Sequence, residues 1–223
     1  MRKRIVLGTA CAHASAVLCL GIALFTGGAL AQKRELPAES AVSETRAGTN
    51  TIRKKSIAYV PIWKRITIGT YNGVNHIRIA LDDARMRIGD SADEILGRPA
   101  FPFSKTETQL DLVVLTAADL GFQEGYTSLA EIYRRAIEFG LNLCPAEVGP
   151  QLRLQYVDQP LGEFLHIAMQ PIATYHGDLV DLTVANGGTG LLLLGGDGSP
   201  DLKRHSTAKF VFVRPSQVAS ETP

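Results

Sequence analysis

The segments Leu152-Arg-Leu-Gln-Tyr156 and Phe164-Leu-His-Ile-Ala-Met169, joined by the turn-forming Asp158-Gln-Pro-Leu-Gly162, decide how this chain is read. In the first, Leu152, Leu154 and Tyr156 alternate with Arg153 and Gln155. In the second, Leu165, Ile167 and Met169 alternate with Phe164, His166 and Ala168. Successive side chains of a strand point to opposite faces, so this period of two predicts a pair of half-buried strands in a hairpin or meander. On that pairing Arg153 and Gln155 share one sheet face, and Phe164 and His166 extend it.

Working outward, the later sequence keeps the β character. Leu179–Val184 and Leu191–Leu194 read as strands joined by the glycine-rich Ala185-Asn-Gly-Gly-Thr-Gly190, and Lys209–Val213 as a last strand. The earlier sequence is richer in helical spacing. Val74, Ile77, Leu81, Ala84 and Ile88 recur at gaps of three and four, although the β-branched Ile77 and Ile79 also fit a strand. Asp90 is placed to cap a short helix through Leu96, which Gly97 and Pro99 then stop. Ser128 and Glu131 have the spacing of a capping box. Leu129, Ile132, Tyr133, Ala136 and Ile137 mark one face of the helix that follows, and Gly140 suits its end. Between these helices Gln109–Thr116 is a strand whose Val113-Val114-Leu115 centre predicts burial on both faces, and Ile66-Thr67-Ile68 alternates as a strand. The expected class is α+β, in a single domain, with helices mainly in the first half and a largely antiparallel sheet in the second. No internal repeat is present.

The N-terminus has a different composition. Met1-Arg-Lys-Arg4 precedes an apolar run from Ile5 to Ala31 that closes on Ala29-Leu-Ala31, the pattern of a bacterial export signal. The run is also long enough for a membrane anchor, which needs about 20 apolar residues. His13 and the interspersed Gly, Ser and Thr favour cleavage. Residues 32–56, polar and without an apolar period, read as a tether, residues 57–214 as the globular unit and residues 215–223 as a tail. Cleavage after Ala31 would leave 20 basic against 22 acidic residues, a net charge of −2 in place of +1. That balance gives no general electrostatic grip on nucleic acid. It would also leave Cys144 as the single thiol, unable to form a disulfide within the chain.

Arg87-Ile-Gly-Asp90 with Glu94-Ile-Leu-Gly97, Leu110-Asp-Leu-Val-Val114, Leu120-Gly-Phe122 and the long block from Leu143 to Tyr156 form a recognisable set. With Asp158-Gln-Pro160, Ile167-Ala-Met169 and Phe210-Val-Phe-Val213, they make the chain resemble an uncharacterised family of bacterial hypothetical proteins from roughly Ile66 to Arg214. The resemblance implies a unit of one fold and supplies no chemistry. Family members mostly lack a signal segment and have Trp where this chain has Phe164, so a cytoplasmic role is not carried over. A helicase label attached to some members implies a Gly-x-x-x-x-Gly-Lys-Ser/Thr phosphate loop, and this chain has none.

Four groups of residues attract a chemical reading. Cys144-Pro-Ala-Glu147 stands between the best helix and the first late segment, where a nucleophilic Cys would need His166 or His176 as base. The plainer account is a small buried hydrophobe followed by a turn proline. Glu147, Arg153, Gln155, Phe164 and His166 together suggest a patch for a polar or carbohydrate ligand, or else an ordinary solvated sheet face. His176, Asp178 and Asp181, and separately Asp197, Ser199 and Asp201, have oxygen and nitrogen donors near one another, but turn chemistry accounts for both sets and no metal or cofactor is expected. Glu147 and Glu163 could be imagined as a glycosidase pair only if their separation were right.

The expected function is an exported, periplasmic or secreted, non-enzymatic module of the cell envelope that binds a protein partner or a polar small molecule through the late sheet. Its rivals are a hydrolase using Glu147 or Cys144 with His166, and a purely structural envelope protein. Intact mass spectrometry of the exported protein is expected to find a chain beginning at Gln32, whereas a mass that retains residues 1–31 would favour the membrane-anchored form.

Overall fold

The computed structural model describes residues 60–123 and 125–216. The expected signal segment 1–31, the tether 32–56 and the tail beyond Ser216 lie outside the described residues. Among the described residues nine strands run in chain order as β1 (Lys64–Ile68), β2 (Arg87–Ile88), β3 (Thr108–Thr116), β4 (Tyr126–Ser128), β5 (Phe164–Ala173), β6 (Leu179–Gly187), β7 (Gly190–Asp197), β8 (Lys203–His205) and β9 (Lys209–Arg214). The helices are α1 (Val74–Asp83), α2 (Asp90–Leu96), α3 (Leu129–Glu138) and α4 (Val148–Gln155).

Seven strands form one sheet in the order β1-β3-β9-β5-β6-β7-β2, and β4 pairs with β8 in a separate ribbon. Most pairs are antiparallel, but β5–β9 and β2–β7 are parallel, so the sheet is mixed. The class is α+β. The expected division into early helices and late strands does not hold. Helices α3 and α4 lie beyond the middle of the chain, while β1, from its first half, and β3, at its middle, form one flank of the same sheet.

The sheet is buried on both faces. Leu112, Leu165, Ile167, Leu182, Val184 and Val211 point to one side, where Leu81 of α1, Ile95 of α2 and Leu152 of α4 cover them. Val113, Ala168, Phe210 and Phe212 point to the other, under Leu129, Ile132 and Ala136 of α3. The expected capping box is in place. Ser128 accepts from the Glu131 N–H, and the Glu131 carboxylate accepts from Ser128. It starts α3 just where the ribbon strand β4 ends.

The largest departure from expectation is α4. Leu152-Arg-Leu-Gln-Tyr156 does not pair as a strand. It forms the end of a helix whose polar residues Glu147, Gln151 and Gln155 recur every fourth position. Pro150 sits in the first turn, where a backbone N–H has no helical partner to lose. At Gly149 a Cβ would stand 2.5 Å from Leu182 Cδ1, so glycine lets the helix lie close on β6.

The polar row of α4 meets the free edge of β1. The Gln155 side-chain amide donates to Thr67 O at 2.8 Å and accepts from Thr67 N–H at 3.0 Å, as a neighbouring strand would. Gln151 donates to Thr70 Oγ1 and to Glu147, while Gln155 donates to Gln151. The Glu147 carboxylate accepts from the backbone N–H of Gly69 and of Ser104, each at 2.7 Å. An open strand edge invites pairing with another chain, and Gln155 occupies this one at Thr67.

Under α3 lies a polar island. Asp181 on β6 is 1% exposed, and neither carboxylate oxygen has a hydrogen-bond partner; Arg204 approaches at 3.9 Å. Burial raises its pKa to about 7, against the pull of Arg204. His166, on the same face, stacks against Phe210 and meets Thr183 Oγ1 at 3.0 Å; burial, helped by Arg204, lowers its pKa to about 4. These two groups act in opposite senses. The folded chain keeps a proton on Asp181 that the unfolded chain releases between about pH 4 and 7, so stability from this group falls as pH rises through 7. The unfolded chain binds a proton on His166 below about pH 6.5 that the folded chain refuses until about 4, so stability from this group falls on acidification. Their contributions oppose one another between about pH 4 and 6.5. Asp181→Asn is expected to stabilise the fold at pH 7.5 by about 1–3 kcal/mol and to give steeper acid destabilisation, measured by urea unfolding across pH. Equal stability of the two proteins at pH 7.5 would contradict the assignment.

Candidate functional site

The five residues expected to share a ligand-binding face are not brought together. Glu147 is buried at the start of α4, with each oxygen holding a loop N–H. Gln155 is bound to the β1 edge. Arg153 is buried within the fold and donates to Gln159, to Ala185 O and to Tyr156 O, tying the end of α4 to β6. Burial lowers its pKa to about 10. Phe164 and His166 do share a strand face, as their alternation requires, but that face turns toward α3 and away from α4. Phe164 is 47% exposed at the start of β5, whereas His166 packs on Phe210. The expected common patch therefore fails, because a helix turns Arg153 and Gln155 by 100° per residue where a strand would have aligned them.

The groups of the hydrolase reading are engaged elsewhere as well. Cys144 is buried, donates to Val211 O at 3.3 Å, and has its pKa pushed well up by burial. No hydrogen bond joins any two of Cys144, Glu147 and His166. Glu163 binds Tyr156 Oη and the Lys209 ammonium, each at 2.9 Å. Among the residues read for metal binding, Asp197 accepts from Ser199 N–H and Asp178 N–H donates to Thr174 Oγ1, both short turn contacts. Among the described residues no group of three His, Cys, Asp or Glu side chains is arranged to hold a metal ion.

A different site emerges beside the same motif. The register of β5 against β6 shifts between Ile167 and Ile172, a bulge that contains Pro171. Proline has no N–H to give a ladder, and a bulge splays the strand where pairing lapses. Next to it, Cys144 N–H reaches Ala168 O at 2.7 Å, docking Cys144-Pro-Ala146 alongside β5. Ala100 and Pro102, from the loop after α2, close the third side. The result is a mainly apolar cleft of about 360 Å³ lined by Cys144, Pro145, Ala146, Pro171, Ile172 and Ala173, with Gln170 its one polar side chain.

Two residues beyond Ala100 and Ala173 stand Arg98 and Tyr175. The Arg98 guanidinium lies over the Tyr175 ring at 4.0 Å, and Tyr175 N–H donates to Glu94. No side-chain hydrogen bond or ion pair engages Arg98 among the described residues. Stacking fixes the plane of the guanidinium; its Nε is buried without a partner, so the terminal nitrogens are the donors that can meet a carboxylate or phosphate. The Cys144-Pro-Ala-Glu147 motif does border a cleft, but the histidines expected beside it, His166 and His176, are not among the residues that line it. Pro171, interrupting an otherwise regular strand, was the signal for the bulge.

Comparison with protein-family models, with curated proteins and with solved structures gives no match to this chain.

Glu147 provides the sharpest structural test. Glu147→Ala is expected to lower stability on the order of 3 kcal/mol or more, since it strands two N–H groups, whereas Glu147→Gln retains one acceptor and should lose less. Chemical unfolding at neutral pH measures both, and an alanine variant as stable as the parent would exclude the clamp.

Proposed function

We propose that this chain is an exported, non-enzymatic ligand-binding module of the cell envelope, and that its ligand enters the cleft between Cys144-Pro-Ala146 and the β5 bulge. The observation that carries the reading is the apolar cleft itself, with a stacked arginine that lacks a polar partner two residues along the chain from its Ala100 wall. The Met1–Ala31 pattern supports export. The structural engagement of Cys144, Glu147 and His166 supports binding over hydrolysis.

The lining supports one class of ligand over others. Prolines and alanines give rigid walls with little side-chain entropy to lose on binding, which favours a preformed apolar pocket. Arg98 complements a negative head group. The expected ligand is thus a small amphiphile with an aliphatic body and a carboxylate or similar anion, in place of the polar or carbohydrate ligand expected from sequence.

Octanoate and 1-octanol serve as probes for the exported protein, followed by amide chemical shifts. Saturable octanoate binding is expected to move Ala100, Ala146, Gln170 and Ala173. Ala100→Trp, which fills the mouth at an exposed position, should abolish it without lowering the melting temperature. Arg98→Gln should weaken octanoate by about tenfold, equivalent to about 1.4 kcal/mol, and leave octanol unchanged. Shifts confined to other regions, or octanoate binding that is indifferent to Ala100→Trp, would refute the assignment.

A further inference from the structure

The chain between α1 and β2 contains a feature that folding alone does not favour. Helix α1 ends in a reciprocal pair of turns, with Arg85 N–H donating to Asp82 O and Met86 N–H to Leu81 O, both at 2.8 Å. In this arrangement the residue after the C-cap adopts a left-handed conformation and is usually glycine. Here it is Arg85, at φ 56°, the one non-glycine residue with positive φ among the described residues. At eight other positions of positive φ the chain uses glycine. An L side chain in that region is disfavoured, so the guanidinium at this position has a reason beyond the turn.

The side chain opens onto a cleft of about 580 Å³ lined by Arg78, Arg85, Arg87, Asp82, Asp93 and the apolar Met86 and Ile88. Arg78 is held in place by Asp93, donating to its carboxylate and, at 2.7 Å, to its backbone oxygen. Arg85 and Arg87 have no side-chain hydrogen bond or ion pair among the described residues. Asp82 is the carboxylate left to oppose them. Three guanidiniums therefore face two carboxylates, one of which is already neutralised by Arg78.

We propose that this cleft is a second, independent binding site, for a tetrahedral oxyanion of the phosphate type. One arginine fork suffices for a planar carboxylate, whereas a doubly charged phosphate with several acceptor oxygens can use two or three. Asp93 fixes Arg78 as the rigid side of the site. The left-handed turn sets Arg85 two residues from Arg87, which the short parallel strand β2 ties to Leu192 of β7.

The test uses the full exported protein and three probes: sodium phosphate, glycerol 3-phosphate, and vesicles containing phosphatidylglycerol. Titration at low ionic strength against a chloride control is expected to show saturable phosphate binding that moves the amides of residues 85–88. Arg85→Gly should raise the melting temperature by about 2–4 °C, as relief of the turn predicts, while weakening phosphate by at least tenfold. Arg87→Gln should weaken it similarly, with the melting temperature unchanged. Tighter binding of glycerol 3-phosphate than of inorganic phosphate would assign the site to a soluble phosphate ester. Vesicle co-sedimentation that is lost in Arg85→Gly would assign it to a lipid headgroup. Phosphate binding no stronger than chloride, or unaffected by both substitutions, would overturn the proposal. Neither substitution touches the Cys144 cleft, so octanoate binding serves as an internal control for folding.

Discussion

The exposed edge of β1 sets the constraint that the rest of the molecule satisfies. A terminal strand offers a row of backbone groups that water or another chain would otherwise take. Gln155 takes the backbone groups of Thr67, and one helical turn and two turns back Gln151 and Glu147 hold the Thr70 hydroxyl and the Gly69 N–H just past the strand's end. The consequences propagate inward. With α4 held at the edge, Val148 and Leu152 cover the first core, Gly149 brings the helix against Leu182, and Arg153 reaches Ala185 O. The Cys144-Pro-Ala146 turn is then fixed beside β5, and the apolar cleft forms between them.

Much of this was legible in the residues. The Ser128–Glu131 capping box and the apolar face behind it specify α3 without ambiguity, because capping and periodicity point to the same boundary. Val113-Val114-Leu115 correctly implied a strand packed on both faces. The regular alternation around Leu165 placed β5, and Leu179–Val184 before its glycine-rich turn placed β6. In each case the decisive interactions are local or follow from burial of one face.

Helix α4 was not legible from apolar spacing, for a physical reason. Leu152, Leu154 and Tyr156 fit a period of two, and only eight residues are involved, too few for a helical period to assert itself. The information lay in the polar residues. Glu147, Gln151 and Gln155 recur at the helical spacing, and Pro150 sits where a helix begins. Their partners, Thr67, Gly69, Thr70 and Ser104, are distant in sequence, so nothing local announces the ladder. The parallel pairs β5–β9 and β2–β7 were hidden likewise, since both join segments far apart in the chain.

The same distinction separates the two kinds of polar residue in this protein. Glu147, Arg153, Gln155 and His166 looked functional because they are polar amid apolar neighbours. In the structure each makes hydrogen bonds within the fold, and a group so engaged has little capacity left for a ligand. Arg98, Arg85 and Arg87 carry no chemical signal in the sequence, being ordinary surface arginines by composition. They hold their places by stacking, by a left-handed turn and by a two-residue strand, while the donors of their guanidiniums remain without protein partners. A hydrogen-bonding group that is positioned by other means, yet makes no bond of its own, retains its interaction energy for a molecule from outside. On that criterion the two proposed ligand sites draw on arginines that the fold leaves unengaged, whereas the polar face of its best-marked motif belongs to the fold.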